Sequence, residues 1–153
     1  MDAESEIEAV FTAFGVAAYA AQALERQLAL TLASTWGPGS EQLTRSGYDA
    51  LLKAYLRKTA GQLARQASGK LGDLATLRAE IDAAVLRRNF LMHDYFWERA
   101  VQFMRPEGRQ HMLHELEEAR LIFEALDAQL TALTRAWGEA DTPWGLKPHG
   151  FSG

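Results

Sequence analysis

The 153-residue chain has no cysteine, which excludes disulfide scaffolds, thiolate zinc sites and thiol catalysis together. It has four prolines and no alternating run rich in Val, Ile and Thr, so neither an all-β nor an α/β fold is expected. An excess of positive charge is also missing: 16 Lys and Arg stand against 20 Asp and Glu, a formal net charge of -4. That balance excludes nucleic-acid binding by bulk basicity and leaves open only a local Arg cluster. The longest stretch without charge, residues 9–24, falls short of the roughly 20 residues that span a bilayer, and Thr12, Gly15 and Gln22 dilute it. Asp2, Glu4, Glu6 and Glu8 precede it where a signal peptide would carry basic residues. Neither a membrane span nor an export signal is expected, and the default location is the cytoplasm. There is no Gly-rich phosphate loop and no internal repeat.

What the chain does have is helical periodicity. With 48% hydrophobic and 24% charged residues it is the length and composition of one globular domain. The pattern predicts four helices. The first covers about 2–35, with acidic residues in its opening turns where the helix dipole favours them, and ends at Trp36-Gly37-Pro38-Gly39. The second covers about 48–67, with Thr44 or Ser46 available as cap. The third runs from an Asp73 cap to about Met104, where Arg105-Pro106 breaks the pattern. The fourth covers 106–137 and sets Met112, Leu116, Ala119, Phe123, Leu126, Leu130, Leu133 and Trp137 at alternating steps of four and three, the seam of a packed helix. Short connections favour antiparallel neighbours, so the expected fold is all-α, an up-down four-helix bundle over residues 1–137. Residues 138–153, rich in Gly and Pro, are expected to form a loosely ordered tail.

Two features depart from a plain bundle. On the first helix Ile7, Phe11, Phe14, Ala18, Ala21, Leu28 and Leu32 form an apolar stripe with Glu25 near its centre. An unpaired buried carboxylate costs several kcal/mol, so Glu25 needs a proton or a cation. On the third helix Leu74, Leu77, Ile81, Ala84, Leu91 and Tyr95 define a core stripe that includes Arg88, a candidate partner for Glu25 unless it reaches outward instead. The same helix carries a second apolar stripe, Leu86, Phe90, Trp97, Val101 and Met104, with His93 inside it. A small bundle buries one stripe per helix, so the second predicts a homodimer across this helix. A tail carrying Trp144 and Phe151 is the other candidate cover.

The densest polar cluster is Arg87-Arg88-Asn89-Phe90-Leu91-Met92-His93-Asp94-Tyr95. Asn89 and His93 are four apart, a spacing at which the amide can orient the imidazole. Arg88 and His93 are about 140° apart around one helix, too far for a compact site within one subunit. His111, His114 and Glu115 have spacings that metals use, but without a further ligand nearby in sequence no metal site and no cofactor is expected. Lys53, Arg57, Lys58, Arg65 and Lys70 make the second helix basic, a solvated face or a guide for an RNA backbone.

The run Arg88-Asn89-x3-His93 resembles the signature of the HEPN superfamily of small helical-bundle domains, and the longer form Arg88-x4-His93-x-Tyr95 is similar to HepT-type toxins of bacterial toxin-antitoxin pairs. The resemblance implies a metal-independent endoribonuclease, active as a homodimer whose two motifs line one cleft. It implies that His93, Arg88 and Asn89 are the catalytic residues, with Arg87, Tyr95 and Glu25 as binding residues. His93 would move the proton of a ribose 2′-hydroxyl or of the leaving 5′-oxygen, and Arg88 would grip the phosphate. By the same resemblance, Tyr95 would be the residue that a partner nucleotidyltransferase antitoxin modifies with AMP, although Tyr95 also belongs to the core stripe. A second function class remains: a non-catalytic dimeric HEPN-like module that binds a nucleotide or a protein partner.

Overall fold

A computed structural model describes residues 2–36 and 75–139. The predicted second helix with its basic face and the tail from residue 140 lie outside the described residues. The structure is 94% helix, with no strand among the described residues, and an all-α fold is what the periodicity predicted. Five elements follow in chain order: α1 Ala3–Trp36, α2 Ala75–His93, α3 Tyr95–Glu98, α4 Ala100–Phe103 and α5 Pro106–Glu139. Asp2 caps α1, its carboxylate accepting the Ser5 N–H at 2.7 Å, which holds that carboxyl below its ordinary pKa. Pro106 opens α5, where the missing N–H leaves no unpaired donor.

The segments α2, α3 and α4 are one helical path with two kinks, so the predicted third helix exists in a bent form. Asp94 (φ -126, ψ -13) and Arg99 (φ -100, ψ 12) leave helical geometry. Four-residue backbone bonds still cross both points, from Asp94 to Phe90, Glu98 to Asp94, Arg99 to Tyr95 and Phe103 to Arg99. The path then tightens to three-residue bonds at Met104 and Arg105 and reverses into α5. The reversal is so close that a Cβ on Gly108 would lie 2.0 Å from the Gln102 carbonyl oxygen. Only glycine fits there.

The core lies mainly between α1 and α5. Val10, Ala17, Ala20, Ala21, Leu24 and Leu28 meet Met112, Leu116, Ala119, Phe123, Leu126 and Leu130, all buried. The pairing register is constant: Glu6 reaches Arg109 and Thr31 reaches Thr134, an offset of 103 residues in both cases. A constant offset means that α1 and α5 run parallel. Arg88 reaches Glu25 while Phe96 and Phe103 reach Phe11, so the α2–α4 path is antiparallel to α1. Up-down alternation of four helices would make the first and last antiparallel, and that part of the expectation does not hold. Trp36, the end of α1, and Ala75, the start of α2, lie toward the same end of the described structure.

The fourth-helix seam is buried as predicted from Met112 to Leu130, whereas the first-helix stripe needs rotating. Phe11, Phe14 and Glu25 face the α2–α4 path, not α5. Helix α1 is wedged between two neighbours and apolar on both sides, so angular arithmetic on the sequence located only one of its two buried faces. By length and composition Ala3–Thr31 also contains an 18-residue window apolar enough to cross a membrane, with a mean hydropathy of 1.4, as core helices of soluble proteins do too.

Two polar ties fix the α1–α5 register. At one end Arg109, buried, donates to Glu6 Oε1 at 3.3 Å and to the Phe103 carbonyl at 3.1 Å, and Gln110 donates to Glu6 Oε2 at 3.2 Å. The Gln110 and Arg109 bonds hold the Glu6 carboxyl below its ordinary pKa. At the other end the Gln27 amide donates to both Thr31 Oγ1 and Thr134 Oγ1 at 3.3 Å. Each threonine hydroxyl donates to the carbonyl four residues back, at 2.8 Å. Every side-chain hydrogen in this half-buried cluster therefore has an acceptor.

Candidate functional site

Arg88 projects from α2 toward α1, held there because Ile81, Ala84 and Leu91 on the same face are buried. Its Nε donates to Glu25 Oε1 at 2.6 Å, so the pair expected from the sequence forms. Both side chains keep about a quarter of their surface exposed, 26% and 23%. Beside the pair lies a shallow, open dimple with room for about 10 Å³, lined by the aliphatic side chains of Ala21, Leu24, Leu28, Ala84 and Val85. Dry walls on one side strengthen the Coulomb attraction without sealing it from water.

Asn89 departs from the role expected of it. Its Oδ1 accepts from Arg88 Nη1 at 3.1 Å, so the amide steadies the guanidinium and not the imidazole. His93 is the last residue of α2, its side chain exposed to solvent and without a hydrogen bond to any described residue. Arg87 is half-buried and also makes no hydrogen bond to a described residue. Within one subunit, therefore, Glu25, Arg88 and Asn89 come together, while His93 stands apart on another side of the helix.

Tyr95 is in the core. It is 1% exposed, ringed by Phe14, Phe90 and Phe96 at centroid distances of 5.9, 5.8 and 5.4 Å. Its hydroxyl donates weakly to the Met112 carbonyl at 3.4 Å. Burial, with the Glu115 carboxylate nearby, pushes the phenol well above its ordinary pKa. The ring would have to leave the core before a modifying enzyme reached its oxygen.

Sequence reasoning missed Arg99. Its Nε and Nη2 clamp both carboxylate oxygens of Glu115, at 2.9 and 2.7 Å, and its guanidinium lies 5.1 Å from the Phe90 ring centroid and 5.9 Å from that of Tyr95. The Arg99 bond holds the Glu115 carboxyl below its usual range, and this pairing takes Glu115 away from any metal role with His111 and His114. The signal was present as an Arg one helical turn past Tyr95 opposite a Glu on the next helix, but the kink at Arg99 hides that spacing from a straight-helix projection.

Of the five residues in the second stripe of the third helix, four are exposed in the single chain. Leu86, Trp97, Val101 and Met104 are all more than 70% exposed, Trp97 at 84%, whereas Phe90 folds inward against Tyr95. Comparisons with family models, curated proteins and solved structures find no match to this chain.

Proposed function

We propose that the chain is a HEPN-type endoribonuclease that acts in the cytoplasm without a metal, as a homodimer joined across the exposed apolar face of the bent α2–α4 helix. The carrying observation is the arrangement around Arg88: a guanidinium fixed by Glu25 and Asn89, five residues before an unpaired, solvent-facing His93 on the same helix. Arg88 and His93 diverge around α2, so on this reading the site is completed by a second copy packed on the exposed Leu86, Trp97, Val101 and Met104, one subunit supplying the imidazole and the other the guanidinium.

The chemistry follows from the residue types. The 2′-oxygen of a ribose attacks the adjacent phosphorus while the bond to the 5′-oxygen breaks. His93 accepts the 2′-hydroxyl proton or supplies one to the departing 5′-oxygen, and Arg88 stabilises the charge that builds on the phosphoryl oxygens. The products are a 2′,3′-cyclic phosphate and a 5′-hydroxyl, and DNA is spared. General acid-base action by His93 contributes a factor of about 10² to 10⁴. Tyr95 takes no part in catalysis on this reading, and modification by a nucleotidyltransferase partner would require its hydroxyl to leave the core.

The engagement of Arg88 by Glu25 also favours a second reading, a non-catalytic dimeric HEPN-like module that binds a nucleotide or a protein, in which the ion pair is purely structural. Cleavage of labelled RNA in EDTA separates the two. The wild type is expected to cut and leave cyclic-phosphate ends, with His93→Ala and Arg88→Ala at least about 100-fold slower. Equal inactivity of all three on varied RNAs selects the binding module.

A further inference from the structure

We infer that Glu25 and Asn89 are positioning residues that hold the Arg88 guanidinium from one side and present its far edge to a phosphate. The inference rests on the ribonuclease reading and names how its phosphate site is built. A guanidinium has five N–H donors in a fixed plane. Glu25 takes the one on Nε, at the flank of the group, and Asn89 takes one on Nη1. Nη2 makes no hydrogen bond among the described residues, yet it is not a buried unpartnered atom, so it reaches solvent. The donors left over are one on Nη1 and both on Nη2, at the end of the group away from Nε, where phosphate oxygens can be gripped.

A carboxylate that locked Arg88 would clamp it at two nitrogens, as Glu115 clamps Arg99 through Nε and Nη2. Glu25 touches one. Its contact at 2.6 Å on Nε leaves the plane of the group fixed and its end open, while Asn89 limits rotation about the other side. The negative charge of Glu25 lowers the attraction for a phosphate. What it gives in return is a guanidinium already oriented before substrate arrives, and a misplacement of about 1 Å in such a group costs about 100-fold in rate.

Two variants with the same charge isolate the hydrogen bond. Glu25→Gln keeps an oxygen for Arg88 Nε, and Glu25→Ala removes it. With a 2′-O-methyl oligoribonucleotide, which binds but cannot be cut, Glu25→Gln is expected to bind at least as tightly as wild type and Glu25→Ala at least about fivefold more weakly than Glu25→Gln. On cleavable RNA, kcat for Glu25→Ala is expected to fall about 10- to 100-fold below Glu25→Gln. Indistinguishable Gln and Ala variants would overturn the inference, as would both binding more tightly than wild type by the same factor, the signature of a lock. Should no variant cleave or bind RNA, the ribonuclease reading fails on its own. Inorganic phosphate titrated against the ¹⁵Nε–H resonance of Arg88 then decides: a shift in wild type and Glu25→Gln that is absent in Glu25→Ala supports the positioning role, and any other pattern overturns it.

Discussion

At the scale of single residues, Tyr95 has the plainest consequence for stability. Its phenol is held protonated beyond the ordinary range by burial and by the Glu115 carboxylate. Above pH 10, about where an unfolded tyrosine ionises, the folded state binds the extra proton, so stability is complete below that pH and declines as pH rises. Raising the pH from 9 to 11 should lower the urea midpoint of the wild type more than that of Tyr95→Phe. At pH 7 the substitution itself should cost only about 0.5–1 kcal/mol, because the bond it removes is long. The sequence made Glu25 and Arg88 legible as partners because both interrupt apolar stripes, and a charge among apolar residues asks for an opposite charge. It left Arg99 and Arg109 hidden. Each sits beside a kink or a reversal, where the spacing on a straight helix no longer says what faces what.

At the scale of elements, glycines at two positions predict opposite outcomes. Gly108 lies against the Gln102 backbone, which cannot yield as a side chain tip can. Gly108→Ala should therefore destabilise by at least about 1–3 kcal/mol by forcing α4 and α5 apart. Gly15, in the middle of α1, has nothing within 4 Å of where a Cβ would stand. Gly15→Ala should stabilise by about 0.5–1 kcal/mol through helix propensity alone, and thermal unfolding of both variants checks the pair. Existence and type of the described helices were legible throughout, down to the Pro106 start of α5. The direction of α5 was not. Periodicity gives the face of a helix but not its sense along the bundle, and connection length is a poor guide when 38 residues, 37–74, separate α1 from α2.

For the whole molecule, the bent helix leaves four large apolar side chains more than 70% exposed among the described residues: Leu86, Trp97, Val101 and Met104. Trp97 stands near their centre. Trp97→Glu should convert a dimer into a monomer by light scattering without lowering the melting temperature of the subunit, and an unchanged mass would remove this face as the subunit interface. The parallel pairing of α1 with α5 has a consequence in time. Partners that lie 103 residues apart in the chain cannot meet until the last helix has been made. Through most of synthesis α1 leaves the ribosome with its main apolar face uncovered, and that face belongs to the one described segment whose length and hydropathy suit a bilayer. On that order of events α1 is expected to be most open to capture by a chaperone before α5 is complete, and completion of α5 closes that window.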